Sequence, residues 1–495
     1  MFLTLFNFKI PIMFLKKRLI NLNILFFVSL LLFSCGSDDD VTPTPDPILG
    51  CTDPEASNYN PNATEDNGSC EYDPIFSGDL LWIKTFGGSN EEDAISIVES
   101  NDGGYMVLGY TKSTDGDVTG KTTTDLDYWL LKLDENGNKI WDKTYGGSAD
   151  DQATSISKTS DGGYIISGFT ASNDGDVTEN AGFHDYWIVK VTSTGAIQWQ
   201  KSFGFAGQDQ AFKVIQTQDG GYFATGFLDV GLADGGGNDI IDNQNNKASL
   251  HSLGDYWGIK MDADGNKIWR RYFGGSHVDQ GKDVLQTEDG GFLLIGISES
   301  SDYDISNARG ANDYWVVKTN ADGDLMWEKS FGGSETDRAF SVTKTTDNNF
   351  IITGETRSSD FDISNPIGGG DIWAVKFNAT NGAIIWEKSF GGTQFETSRG
   401  IIALENGNYA IAGSARSTDG DVSGNNGAND AWILIINNDG TLLLEKNIGG
   451  SAIDFANYLT ETNNQELVFV GSSTSNDIDI PNNQGNKDIL IFKMN

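Results

Sequence analysis

Seven near-copies of one four-stranded unit, closed into an all-β, seven-bladed β-propeller, are what this chain of 495 residues leads one to expect. A junction of the Phe/Tyr-Gly-Gly type recurs at Phe86, Tyr145, Phe203, Phe273, Phe331 and Phe390, and once more as Ile448-Gly449-Gly450. A second landmark, Asp-Tyr-Trp in its fullest form, falls at Asp127, Asp185, Asp255, Asp313, Asp371, Asp430 and Asp488. Both step by 58 or 59 residues, with a single step of 70, about the length of one propeller blade. The ends agree with a ring. The chain stops after a third strand, Asp488 to Asn495, while a spare fourth strand, Leu80 to Phe86, stands ahead of the first complete unit. An open array would expose both as edges, whereas a ring pairs them, so the last blade is expected to be closed by the N-terminal strand.

Ahead of the ring, residues 1–34 carry a basic step, Lys16, Lys17 and Arg18, and then an apolar run through Leu30, Leu31, Leu32 and Phe33. That pattern predicts a signal peptide, too short below Cys35 for a membrane span, with translation starting at Met1 or Met13. The tail Leu32-Phe33-Ser34-Cys35 resembles a bacterial lipobox, which implies a lipid on Cys35. Residues 35–48 hold Asp38, Asp39 and Asp40 and then Pro43, Pro45 and Pro47, the composition of an extended, solvated tether. Acidic residues just after such a cysteine resemble the export signal of Bacteroidota surface lipoproteins. The resemblance implies an outer-membrane, lipid-anchored protein at the cell surface.

Residues 49–73 form a small module bounded by Cys51 and Cys70. An exported chain meets an oxidising compartment, so these two are expected to pair, leaving Cys35 for lipid. Closing that loop is worth about 3 kcal/mol on the chain-entropy account. The module resembles Cys-bounded segments found beside adhesive or repeat domains in the same bacterial group. Asp53 and Asp66 offer oxygens suited to calcium. Turn-forming side chains that bond their own backbone account for the same residues and are the preferred reading.

The ring, 79–495, follows. The pattern in each unit is four strands, as in Ala94 to Ser100, Gly104 to Thr111, Asp127 to Asp134 and Lys139 to Tyr145. Asp102-Gly103 and Asn136-Gly137 predict tight primed hairpin turns. All 12 tryptophans obey the repeat, six in third strands and six in fourth strands, and are expected in the core. The succession Trp141-x-Lys143-x-Tyr145-Gly146-Gly147-Ser148, Asp161-Gly162-Gly163-Tyr164, Gly168-x-Thr170 and Asp185-Tyr186-Trp187-x-x-Lys190 resembles the seven-bladed β-propeller repeats of bacterial exported proteins. That resemblance implies architecture and use outside the cytoplasm; it brings no common reaction, substrate or cofactor.

Chemistry is expected on the face that carries the junctions and the long second-to-third loops. Two acidic features repeat there. One acid stands six residues after each junction aromatic or Ile448, at Glu92, Asp151, Asp209, Asp279, Asp337, Glu396 and Asp454. An Asp-x-Asp pair, Asp115 with Asp117 in the first unit, returns in five others. Paired carboxylates suit calcium, yet a feature copied into every blade is what a fold needs of every blade, and capping of loop amides is the expectation. Departures from the repeat point better to a site. The third unit is 12 residues longer, and its loop from Asp229 to Gly254 carries Asp234, Asp239 and Asp242. The three histidines, His184, His251 and His277, map to loops of the same face. His184, Asp234, Asp239, His251 and His277 are therefore the candidate binding face, with unrelated surface histidines preferred to a metal site. Calcium is the cofactor to consider, through Asp115, Asp117, Asp53 and Asp66. A second location is the channel mouth near the blade-varying residues Phe212, Lys282, Phe340 and Arg399.

A net charge of −38 argues against nucleic acid as a partner. No Gly-x-Ser-x-Gly elbow, His-Glu-x-x-His, Cys-x-x-Cys or phosphate loop is present. Ser113-Thr114-Asp115-Gly116-Asp117-Val118 does not match the Ser-x-Asp-x-Gly-x-Thr-Trp boxes of sialidase-type propellers, and Asp262-Ala263-Asp264-Gly265-Asn266 is a hairpin turn before it is a calcium loop. The expected function is a surface-displayed, lipid-anchored binding or scaffold module for a protein or glycan, not an enzyme; the alternative is a propeller hydrolase or lyase acting on polysaccharide.

Overall fold

The computed structural model describes residues 46–53, 56, 58–70, 76–233, 236–239, 251 and 253–495. The expected signal segment, Cys35 and Asp234 lie outside the described residues. The chain divides into two units, Met1–Tyr72 and Asp73–Asn495.

In the first unit, two-residue strands Leu49–Gly50 and Glu65–Asp66 pair in parallel. Cys51 and Cys70 form the expected disulfide, their Cα atoms 4.8 Å apart. Asp66 is exposed, and its Oδ1 accepts from the Gly68 amide at 2.9 Å, the self-bonding turn its residue type favours.

The second unit is seven four-stranded antiparallel sheets. Blade 1 shows the pattern: Glu92–Glu99, Tyr105–Thr111, Asp127–Leu133 and Lys139–Tyr145, paired in that order. First strands pack on the first strands of the neighbouring blades all the way round, including blade 7 on blade 1, so they form the inner wall. The only helical turn among the described residues is the 3-10 turn Val230–Leu232. Closure is as expected: Leu80–Phe86 is the fourth strand of blade 7, with Phe86 opposite Ile489 and Leu80 opposite Met494.

The hairpin turns differ from the expected two-residue type. Ser100 N donates to Gly104 O at 2.8 Å and Gly103 N to Ser100 O at 3.0 Å. Only Gly103, at φ 82°, is left-handed there, whereas a primed turn would need positive φ at Asp102 as well. The connection is a three-residue type I turn with a glycine bulge, and 134–138 repeats it. The aspartate serves a different end: bonds from Lys132 and Ser100 lower Asp102 to about 2, and Lys132 is a buried third-strand lysine.

The tryptophans divide into two classes. Third-strand Trp129, Trp187, Trp257, Trp315, Trp373 and Trp432 are fully buried, each with its indole N–H bonded, as Trp187 to Gln200 Oε1 at 2.9 Å. Fourth-strand tryptophans are only half-buried, short of the core position expected, because each covers the hairpin glycine of the next blade. A Cβ on Gly265 would sit 2.7 Å from the Trp199 ring, and Gly265 has φ 75° besides, so this position needs glycine on both counts. Blade 6 has Leu444 instead, and it covers Gly78, the equivalent position in the split blade. Tyrosines add a second stitch between blades, as Tyr128 Oη to Trp187 O at 3.1 Å.

Candidate functional site

Junctions and long second-to-third loops lie on one end of the ring, the loop face; hairpins lie on the other, the turn face. Both acidic repeats of the loop face cap junction amides. In blade 1, Gly88 N donates to Glu92 Oε2 at 2.9 Å, Ser89 N to Asp115 Oδ1 at 2.7 Å and Gly87 N to Asp117 Oδ2 at 3.2 Å. The first two bonds recur in blade 2 through Asp151 and Asp174, and in blade 5 through Asp337 and Asp360. Gly88 is pressed between these groups: a Cβ would meet Asp115 O and the Ser113 side chain at 2.6 Å. Blade 3 departs from this on both sides at once. Its junction reads Gly204-Phe205, and its loop lacks Asp-x-Asp, Asp229 instead capping the turn Val230–Leu232. Phe205 packs against Trp257 and Arg270, and Gly236 of the longer loop lies against its ring.

Behind each cap sits a second carboxylate. The third-strand aspartate of one blade faces the first-strand acid of the next across the junction glycine; a Cβ on Gly449 would lie 2.6 Å from Asp430 and 2.9 Å from Asp454. Burial, as the largest cause, raises Asp127, Asp185, Asp279, Asp313, Asp430 and Asp488 to about 6, and Asp209 and Asp255 to about 7. Asp185 Oδ2 accepts from Ala181 N at 2.7 Å, while its Oδ1 has no partner. Among the described residues, no group of three or more His, Cys, Asp or Glu side chains could hold a metal ion.

The candidate histidines are not gathered into one site. His184 is half-buried, edge-on to Phe169 at 5.2 Å between ring centres. His251 is 3 % exposed, bonded to Asp255 through Nδ1 and held between Tyr272 and Tyr303. The expectation that it stands on the surface is thus corrected: Asp255 and the two tyrosine rings enclose it. His277 alone is exposed, its Nδ1 3.0 Å from Ser276 Oγ. Asp239 pairs with Lys267 at 2.9 Å and Arg270 at 3.1 Å. The same loop supplies Gly237 O to Trp257 Nε1 at 2.9 Å, so its first part is built into the blade.

The channel does gather side chains. Each first strand carries one β-bulge, and the bulged residue projects into the ring: Ile95, Thr154, Phe212, Lys282, Phe340, Arg399 and Asn457. A bulge inserts one unpaired residue and re-aims its side chain. Seven copies of one backbone device thus present six kinds of side chain, phenylalanine twice, to one cavity of about 540 Å³. A second cavity of about 420 Å³, lined by loop-face ends of blades 4 to 6, shares Lys282, Phe340 and Arg399 with it.

Charge in the channel is uneven. Lys213, Lys282, Arg338 and Arg399 come from four successive blades. Lys213 lies 3.7 Å from Asp283 and Arg338 lies 3.6 Å from Glu355. Burial lowers Lys213, but Asp283 and Tyr458 more than offset it, and the net shift is upward. Lys282 donates to the neutral Gln280 Oε1 at 2.7 Å and sits 3.8 Å over the Phe212 ring. Burial, then the neighbouring Arg399 and Arg338, push it down to about 7. The Arg399 guanidinium lies 4.3 Å over the Phe340 ring. On the opposite wall Asp93 is engaged by Lys487 at 2.9 Å and Asn457 at 2.8 Å. Sequence reasoning named Phe212, Lys282, Phe340 and Arg399 from their variation between blades; the bulge that turns them inward has no signature in the residues themselves.

No protein-family model and no curated protein matches the chain. Among solved structures it is similar to a Bacteroides caccae protein of unknown function, at 9% identity and TM-score 0.37, covering 72% of this chain and 94% of that one. It is also similar to the Neurospora crassa Pan2 WD40 domain, at 7% identity and TM-score 0.43, covering 84% and 96%. A third is the quinohemoprotein alcohol dehydrogenase of Comamonas testosteroni, at 8% identity and TM-score 0.40, covering 85% and 76%. Likeness at this level transfers no activity, ligand or partner.

Proposed function

We propose that this chain is a binding or scaffold module for a protein or glycan, held by lipid on Cys35 at the outer membrane and displayed at the cell surface. The observation that carries the binding reading is the channel, where a scaffold otherwise repeated blade by blade presents side chains that vary around the ring to one cavity open toward the loop face. A purely structural ring needs no such variation; a ligand site does. The anchoring reading rests on the lipobox-like tail and the acidic residues after Cys35.

Two measurements test it. A glycan array and a pull-down of surface proteins, run beside a turnover screen on polysaccharides, should yield a ligand without turnover. Turnover lost on changing loop-face acids would replace this reading with the hydrolase or lyase. For anchoring, labelled fatty acid should enter the wild type and not Cys35→Ala, which is expected to be released in soluble form. Label in Cys35→Ala would remove the lipid reading.

A further inference from the structure

We propose that the loop-face half of the channel is a binding site for a hydroxylated organic carboxylate, the chemistry of a uronic acid, with Lys282 and Arg399 as its anchoring cations. This rests on the binding-module reading and names the ligand class.

The argument begins with compensation. Of the charged groups on the channel wall, Asp93, Asp283, Lys213 and Arg338 each have an opposite charge within 4 Å. Lys282 and Arg399 have none among the described residues; their close neighbours are a neutral amide and two phenyl rings. They come from blades 4 and 6 and line both cavities. In a chain of net charge −38 these two channel cations stand without an ion-pair partner, Lys282 half-buried and Arg399 exposed to the channel, although Asp93, Asp283, Glu299 and Glu355 line the same cavities. Two cations without ion-pair partners in one concave channel attract an anion, because a cleft focuses their field.

The ring faces specify more than charge. Phe212, Phe340 and Phe455 line the same cavity, so a bare inorganic ion would leave apolar wall unfilled. Gln152 and Asn457 line the same cavity from blades 2 and 7 and carry amide groups suited to hydroxyls, while the Thr154 hydroxyl is taken by Ser167 O and Ala211 O. Arginine meets a carboxylate through two parallel N–H bonds, and the ammonium adds a point charge beside it. The combined volumes suit a compact ring with the rest of a chain leaving through the loop face. The ligand can be a free sugar acid or the end of an acidic glycan; both present the same group.

Calorimetry on the full chain with glucuronate, a glucuronate-ended oligosaccharide, glucose and inorganic phosphate separates the cases. Glucuronate should bind; glucose and phosphate should bind at least ten-fold more weakly. Tighter binding of the oligosaccharide than of the monomer assigns the glycan source, and equal binding the free acid. Lys282→Gln and Arg399→Gln should each weaken glucuronate at least ten-fold, and the double variant should abolish it while melting no lower than the wild type. Lys344→Gln, on an exposed pair with Glu288 at 2.6 Å, should change nothing. At pH 8 binding should take up a proton, a readout absent in Lys282→Gln. The groups around Lys282 that bear on it are Lys213, Asp283, Asp93, Tyr110 and Tyr458 in the first cavity and Arg338, Arg399, Arg357, Glu299 and Glu355 in the second. Equal binding of phosphate or glucose, retention in the double variant, or no glucuronate binding at all would each overturn the proposal. A neutral glycan or a protein captured equally by the double variant would do so while leaving the binding-module reading intact. Failure of every ligand class would remove both.

Discussion

Deleting residues 79–88 is expected to unfold or nearly unfold the ring, not merely fray blade 7. The strand Leu80–Phe86 pairs along Asp488–Met494, and its removal bares a third strand whose residues are buried along its whole length. Phe86 is buried, and Trp82 and Ile83 pack on two separate clusters. At roughly 1.5 to 3 kcal/mol for each large apolar side chain, the loss is about 5 kcal/mol or more, comparable with the whole stability of a typical domain. Trp82 also covers Gly137, so blade 1 is loosened from its other side. Thermal melting followed by circular dichroism checks this, and a synthetic 79–88 peptide added in trans should recover much of the lost midpoint. A deletion variant that melts like the intact ring would show that closure contributes little.

Stability should fall as pH rises from about 4 to about 7. The buried aspartates at the junctions keep their protons to about 6 or 7 in the folded ring, against about 3.9 in the unfolded chain. Unfolding therefore releases protons across that window, and rising pH favours it. Self-repulsion of an acidic chain acts in the same direction, so a variant is needed to separate the two. Asp185→Asn keeps an oxygen for the Ala181 amide and replaces the partnerless Oδ1 region with a neutral group. It should match the wild type near pH 4 and exceed it at pH 8 by up to about 3 kcal/mol, two pKa units at about 1.4 kcal/mol each. Guanidinium unfolding at pH 4.5, 6 and 8 reads this directly; equal slopes for both proteins would mean that the junction carboxylates are not the cause.

Repeats made the fold legible. Two landmarks at one spacing fixed the number of blades, and the unmatched strands at 80–86 and 488–495 fixed the closure. What repetition hides is the division of labour inside a unit. Trp187 and Trp199 look alike in the sequence, but one is sealed inside a blade and the other lies across a neighbour's turn. The site was legible only where blades differ. Lys282 and Arg399 stood out for that reason, while the histidines stood out by rarity, which says nothing about where a side chain points: His251 folds inward onto Asp255. The bulges escaped because a one-residue insertion common to all seven units leaves the spacing unchanged.

The polypeptide joins the ring beside its own C-terminus, Gly78 N donating to Asn495 O at 2.7 Å. That point belongs to the turn face, since the closing strand runs from there toward the junction at Phe86. The first and last strands of the ring thus share one blade and meet on the turn face, while the opening lined by Lys282 and Arg399 lies toward the loop face at the other end.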